Sequence, residues 1–154
     1  MNKAAEYNSG MAEFKFSKPI DVRYGDLDPQ WHVNNVHFLI FLEHTRINYL
    51  MSLNLFDGKN FFDLGLIVAD IHISYLAPIT LKQNIKVWMR TERIGNKSLV
   101  FVYEIRDEDT REILAKAETI MVTYDYHAQK SITVPDRWRE AISQFEGLDF
   151  SHKA

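Results

Sequence analysis

The chain has 154 residues, 46% hydrophobic and 25% charged, with a formal net charge of -3, the profile of one ordinary globular domain. Its lysines and arginines are scattered rather than gathered into a basic stripe, so no nucleic-acid partner is expected. The absence of cysteine excludes disulfides, thiolate metal sites and a cysteine nucleophile, and leaves the cytoplasm as the expected compartment. Residues 1–13 are polar and small, lack the apolar centre of a signal peptide, and read as a loosely held tail. No apolar run approaches the roughly 20 residues that span a bilayer, so no membrane association is expected. Residues 14–22 alternate as a strand, with Pro19 marking an edge or a bulge. Residues 37–53 are apolar almost all round, with Glu43, Arg46 and Asn48 as a narrow polar strip, which predicts a helix buried on most sides. Asn34 or Asn35 suits its N-cap, and Asn54 and Gly58 its exit turn. The period then changes. Residues 66–76, 85–94, 99–105 and 113–124 read as strands, joined by turn signals at Ala77-Pro78, Gly95-Asn96 and Asp107-Glu108-Asp109. Pro135-Asp136 opens a short amphipathic helix over residues 137–145 before a polar tail, so one domain over residues 14–146 and a tail over 147–154 are expected.

The order strand, long helix, four strands, short helix poses a packing problem. One five-stranded antiparallel sheet covers only part of so apolar a helix, and the chain is too short for a further layer. The simplest solution is an α+β fold in which a curved sheet wraps the helix. A long strand such as 113–124 would then leave an edge open to a second copy, so a homodimer is expected.

The loop before the helix holds the densest chemistry. Asp26, Asp28, His32, Asn34 and Asn35 fall within one short run at the helix mouth. Backbone N–H groups that no helical turn satisfies lie there too, so a polarised oxygen could be bound beside an acid or base.

Val22-Arg23-Tyr24-Gly25-Asp26-Leu27-Asp28, His32-Val33-Asn34-Asn35 and Phe38-Leu39 with Glu43 resemble the hotdog-fold acyl-CoA thioesterases of the 4-hydroxybenzoyl-CoA thioesterase type. Ile73-Ser74-Tyr75-Leu76-Ala77-Pro78 and Ile94-Gly95-Asn96-Lys97-Ser98-Leu99 follow in the family's order, which extends the resemblance over residues 14–138. Lys82-Gln83 stands where many members have Gly-Asp, and Trp31 where a small residue is common. The resemblance implies a curved sheet around a central helix, a homodimer that can pair again into a homotetramer, and an acyl-CoA substrate. A large indole beside the helix mouth alters the pocket, so the resemblance does not transfer a substrate preference.

Thioester hydrolysis requires an activated oxygen nucleophile and donors aimed at the developing oxyanion, with no cofactor or metal needed. The resemblance assigns the first role to Asp28, as general base or nucleophile; taken alone, Asp28-Pro29 also suits a plain turn. The Asn35 N–H, with the helix dipole behind it, suits the oxyanion. His32 could orient water, donate to the carbonyl or protonate the leaving thiol, as its place resembles that of a catalytic histidine in plant acyl-carrier-protein thioesterases, where an amide holds the place of Gln30. Glu43 is a helix carboxylate of the kind some hotdog thioesterases use as base; supporting the loop or pairing with Arg46 is the alternative. Trp31, Asn34, Lys97 and Ser98 are candidate substrate-binding residues, and Lys97, Arg90 and Arg93 could meet coenzyme A phosphates.

His37 with His44, and Asp70 with His72, lack the spacing and companions of a metal site. No serine elbow or nucleotide-binding glycine loop is present. Two other functions remain open. Gly25-Asp26-x-Asp28-Pro29-x-x-His32 superficially resembles a hotdog enoyl-CoA hydratase or dehydratase run with the histidine one residue too far along, and a non-catalytic acyl-CoA or acyl-carrier binding protein could use the same groove.

Overall fold

A computed structural model describes residues 13–151. The N-terminal tail expected over 1–13 therefore lies, except for Glu13, outside the described residues. The strands are β1 (Phe16–Ile20), β2 (Leu66–Tyr75), β3 (Ile85–Ile94), β4 (Ser98–Asp107), β5 (Ile113–Asp125) and a two-residue β6 (Lys130–Ser131). Helix α1 is Asn35–Ser52 and helix α2 is Asp136–Glu146. All strand pairs are antiparallel, in the order β1-β3-β4-β5-β2, with β6 added beside the end of β5. The expected five-stranded sheet around a long helix is thus present, with β6 as an addition too short to carry a pattern.

Alternation along the strands makes the inner face of the sheet. Ile85, Val87 and Met89 of β3 and Leu99, Phe101, Tyr103 and Ile105 of β4 are buried on one parity. They meet Phe38, Phe41, Leu42, Tyr49 and Leu50, which recur at helical spacing on α1. The Tyr49 ring stands edge-on to Phe16 at 5.5 Å and to Phe101 at 6.0 Å. Its hydroxyl donates to Glu146 Oε1 at 2.6 Å, and the same carboxylate oxygen accepts the Thr91 N–H at 2.9 Å. The end of α2 is thereby fastened to the point where the β3–β4 register shifts. Beyond α2, Phe150 packs against the core and its carbonyl accepts from Arg139, so the described part of the expected C-terminal tail is docked.

Two expectations are corrected. The edges of the sheet fall on β1 and β2, the longer being β2, and not on the 113–124 strand, because β5 is flanked by β4 and β2. Arg46 does not belong to an exposed polar strip. It is buried, four residues after Leu42 and four before Leu50, on the core-facing stripe of α1.

A bulge at Ala69 resets the parity of β2. Val68 before it, and Ile71, Ile73 and Tyr75 after it, then share the face turned toward α1, while His72 and Ser74 join Trp88 and Arg106 on the outer face. Val68, Ile71 and Tyr75 are nevertheless exposed, as are Val36 and Ile40 on α1. The apolar character that the sequence places all round the helix is covered on one side only within a single chain.

Candidate active site

The loop between β1 and α1 is built on buried Asp26. Its Oδ2 accepts the Arg23 N–H at 2.8 Å, and its Oδ1 accepts from Arg23 Nη2 at 2.8 Å. Nδ1 of His37, in the first turn of α1, stands 2.9 Å from the same Oδ1, close enough for an ion pair although off the line of a hydrogen bond. Burial works to raise the pKa of Asp26, and the hydrogen bonds from Arg23 outweigh it, holding the carboxyl below the usual carboxylate range. Asp26 also lends its carbonyl to the Asn34 N–H at 2.8 Å. One residue thus ties both ends of the loop to the helix mouth.

Within that frame, residues 28–32 form a tight reversal. The Trp31 N–H donates to the Asp28 carbonyl at 3.0 Å, and the Asp28 N–H to the His32 carbonyl at 2.8 Å. Pro29 suits the first corner of the turn, and Trp31 takes φ 61°, a left-handed conformation that usually belongs to glycine. Oδ1 of Asp28 accepts the Gln30 N–H at 2.8 Å and the His32 N–H at 3.3 Å, so the turn-forming reading is correct as geometry. Oδ2 has no hydrogen-bond partner among the described residues. The carboxylate is therefore held by one oxygen and presents the other. The His32 ring is half-buried and makes no hydrogen bond among the described residues.

At the helix mouth, Asn34 Oδ1 accepts the Val36 N–H at 3.1 Å, which makes Asn34 the cap and starts the helix two residues before the expected boundary. The Asn35 N–H donates to no acceptor among the described residues. Its carbonyl accepts from the Tyr75 hydroxyl at 3.3 Å, and the Tyr75 ring packs edge-on against Phe38 at 5.0 Å. The end of β2 is thus pinned to the start of α1. Trp31 is 63% exposed and meets the equally open Tyr24 edge-on at 6.0 Å, an aromatic pair standing free beside Asp28.

The remaining candidates lie elsewhere. Lys97 is in the β3–β4 turn and Ser98 opens β4; Lys97 Nζ reaches the Ser131 carbonyl at 3.5 Å and the Lys97 carbonyl accepts the Thr123 N–H. Thr123 pairs with Leu66, at the opposite end of β2 from Tyr75, so within one chain Lys97 and Ser98 are at the far end of the sheet from Asp28. Arg90 lies on the outer face, ion-paired with Glu92 and over the Phe14 ring. Glu43 is exposed and has no hydrogen bond or ion pair among the described residues, so the expected pairing with Arg46 is absent. It lines a small cavity with Arg46, Leu66 and Val68. Among the described residues, no group of three or more His, Asp or Glu is placed to hold a metal ion.

Sequence reasoning does not find the contact of His37 with Asp26, the contact of Tyr75 with the start of α1, or the burial of Arg46. For Arg46 a signal exists in its spacing from Leu42 and Leu50.

The family model of the thioesterase-like superfamily matches residues 22–142, from the Asp26 loop into α2. The chain belongs to the thioesterase-like superfamily. It is 28% identical to the long-chain acyl-CoA thioesterase FadM of Escherichia coli (strain K12) over 125 residues, covering 81% of this chain and 95% of that protein. A thioesterase of Thermus thermophilus, solved with coenzyme A and zinc, is 31% identical with a TM-score of 0.77, over 89% of this chain and 98% of that one. A 1,4-dihydroxy-2-naphthoyl-CoA thioesterase of Synechocystis shares the fold, with a TM-score of 0.75 at 22% identity, over 82% and 94% of the two chains. The chain is thus a thioester hydrolase with the hotdog fold, and no helix among the described residues is long and apolar enough to cross a membrane.

Proposed function

We propose that this protein hydrolyses acyl-CoA thioesters to the free acid and coenzyme A, with Asp28 delivering the oxygen nucleophile. The observation that supports the reading is that, among the described residues, a carboxylate oxygen of the loop and the N–H of the first residue of the helix it leads into are both without a partner. Asp28 Oδ2 either deprotonates a water or attacks the thioester carbonyl. The Asn35 N–H, with the positive end of α1 behind it, stabilises the tetrahedral oxyanion, and collapse of that intermediate expels the thiolate. The unengaged His32 ring is positioned in sequence to protonate that thiolate. Trp31 offers an apolar face to the substrate, and Asn34 fixes the direction of the Asn35 N–H by capping the helix.

The functional unit in this reading is a homodimer joined at β2. The strand has a free edge and an inward face exposing Val68, Ile71 and Tyr75, a combination that folded proteins seldom leave bare. Antiparallel pairing of β2 with its copy about a two-fold axis near Asp70 and Ile71 would set the Leu66 end of one strand against the Tyr75 end of the other. The cavity lined by Glu43, and the end of the sheet holding Lys97 and Ser98, would then approach the partner subunit's helix mouth. That arrangement gives Lys97 a role with coenzyme A phosphates and makes the unpaired Glu43 a second candidate base. Such dimers could pair again as tetramers.

Thiol release measured over short, long, branched and aromatic acyl-CoAs tests the reaction. Double-bond hydration without thiol release would favour a hydratase, and tight binding without turnover a carrier protein.

A further inference from the structure

Arg46 has no part in the chemistry above, and its surroundings are unusual. It is 6% exposed, and its one side-chain hydrogen bond among the described residues is long, from Nη1 to the Tyr103 hydroxyl at 3.5 Å. That hydroxyl is already shared with Thr119 Oγ1 at 3.1 Å. No carboxylate lies within ion-pair distance of Arg46 among the described residues. A guanidinium withdrawn from water without a counter-charge is costly, and an apolar side chain would satisfy this stripe of the helix at no such cost.

Arg46 borders a cavity of about 170 Å³ between α1 and the Leu66 end of β2, whose walls include Leu50, Leu64, Leu66, Val68 and Met121. The walls suit a hydrocarbon chain, and the one cationic group among them suits an anion at its end. Glu43 touches the same cavity but is itself exposed and does not take up Arg46, which leaves the guanidinium to a ligand.

We propose that Arg46 binds a carboxylate at the distal end of the acyl group, so that the preferred substrates are thioesters of dicarboxylic acids with an apolar spacer. The planar guanidinium fork matches a carboxylate through two parallel hydrogen bonds, and a hydroxyl would leave its charge uncompensated. A phosphate with its nucleotide is too bulky for so small and apolar a slot. In the dimer proposed above, the Leu66 end of β2 that bounds the cavity would lie against the Tyr75 end of the other copy's strand, beside the helix mouth where the thioester carbonyl would sit. The inference rests on that thioesterase reading and extends it to the acyl group.

The test compares thiol release from a plain acyl-CoA and from its ω-carboxy analogue of equal chain length, using wild type, Arg46→Met and Arg46→Lys. Wild type is expected to favour the ω-carboxy substrate. Arg46→Met should lower kcat/KM for that substrate by about ten- to a hundredfold, the worth of one charged hydrogen-bonded contact, and leave the plain substrate within about threefold. Arg46→Lys should retain part of the preference through its charge. Thermal unfolding and sedimentation of each variant separate recognition from folding and assembly. Wild type that hydrolyses both substrates equally, or Arg46→Met that slows both alike or dissociates the dimer, would overturn the role of Arg46 and leave the thioesterase reading intact. No thiol release from either substrate, or from the wider panel, would overturn both.

Discussion

His37, in the first turn of α1, sets its Nδ1 2.9 Å from Oδ1 of Asp26 and so joins the helix that carries the Asn35 N–H to the loop that carries Asp28. Arg23 closes the other side of the same carboxylate. The relative placement of Asp28 and the Asn35 N–H, the nucleophile and oxyanion donor of the proposed mechanism, depends on a buried charge that touches neither.

Replacing Asp26 with Asn should therefore cost stability and rate together. Loss of the charged contacts is worth about 2 kcal/mol at neutral pH, mostly from the Arg23 N–H and the half-buried His37, because the exposed Arg23 side chain is well solvated. The sign of the pH dependence follows from the lowered pKa. The stabilisation is complete above the ordinary aspartate value of about 3.9 and is lost as pH falls through the lower value of the folded state. Urea titrations of wild type and Asp26→Asn should differ at neutral pH and converge in acid.

Tyr49→Phe removes the hydroxyl that donates to Glu146 and is paired with Thr91 Oγ1 at 2.9 Å. Burial, with the neighbouring carboxylate of Glu146, pushes that phenol well above its ordinary pKa, so the donor persists across the working pH range. Leaving the buried carboxylate short of one donor should cost about 1 to 3 kcal/mol in a denaturant titration. Turnover at saturating substrate should change little, since the residue lies away from Asp28.

Trp31→Gly separates backbone strain from side-chain function. The left-handed conformation costs a residue with a side chain about 1 kcal/mol, and glycine removes that cost while adding comparable freedom to the unfolded chain. Stability should stay within about 1 kcal/mol of wild type. The exposed indole is lost, and KM for acyl-CoA should rise while kcat holds, which steady-state kinetics would resolve.

A charge on the free face of β2 tests assembly. Ile71 is 40% exposed in a single chain, so Ile71→Lys should alter the stability of the fold by only about 0.5 kcal/mol. Sedimentation should show a shift from dimer toward monomer, with activity lost in parallel and regained at high protein concentration.

Much of this architecture can be read from local pattern. The strand alternation in β3 and β4, the helical recurrence in α1 and the Asn34 cap are each decided by residues near one another in the chain. The loop chemistry around Asp26 and Asp28 is likewise local. What escapes the sequence is long-range or geometric. Strand order places β2 and not β5 at the edge, a fact fixed by pairing across the chain. The charge of Arg46 suggests the polar strip, although its spacing from Leu42 and Leu50 puts it on the buried stripe. Family order groups Lys97 with Asp28, whereas the fold sets them at opposite ends of one sheet. Only a second copy can bring them together. The left-handed Trp31 carries no local signal, because a residue with that φ is normally glycine.

The central claim is that Asp28 is the carboxylate that delivers the nucleophile. The most direct measurement is thiol release by Asp28→Asn against wild type across every acyl-CoA the wild type accepts, with circular dichroism and sedimentation confirming an unchanged fold and assembly. Asparagine keeps the acceptor oxygen that organises the turn and abolishes the base and the nucleophile. The account predicts a fall in kcat of about 10² to 10⁴ with KM nearly unchanged. A variant that turns over within a few-fold of wild type would contradict it and direct attention to Glu43.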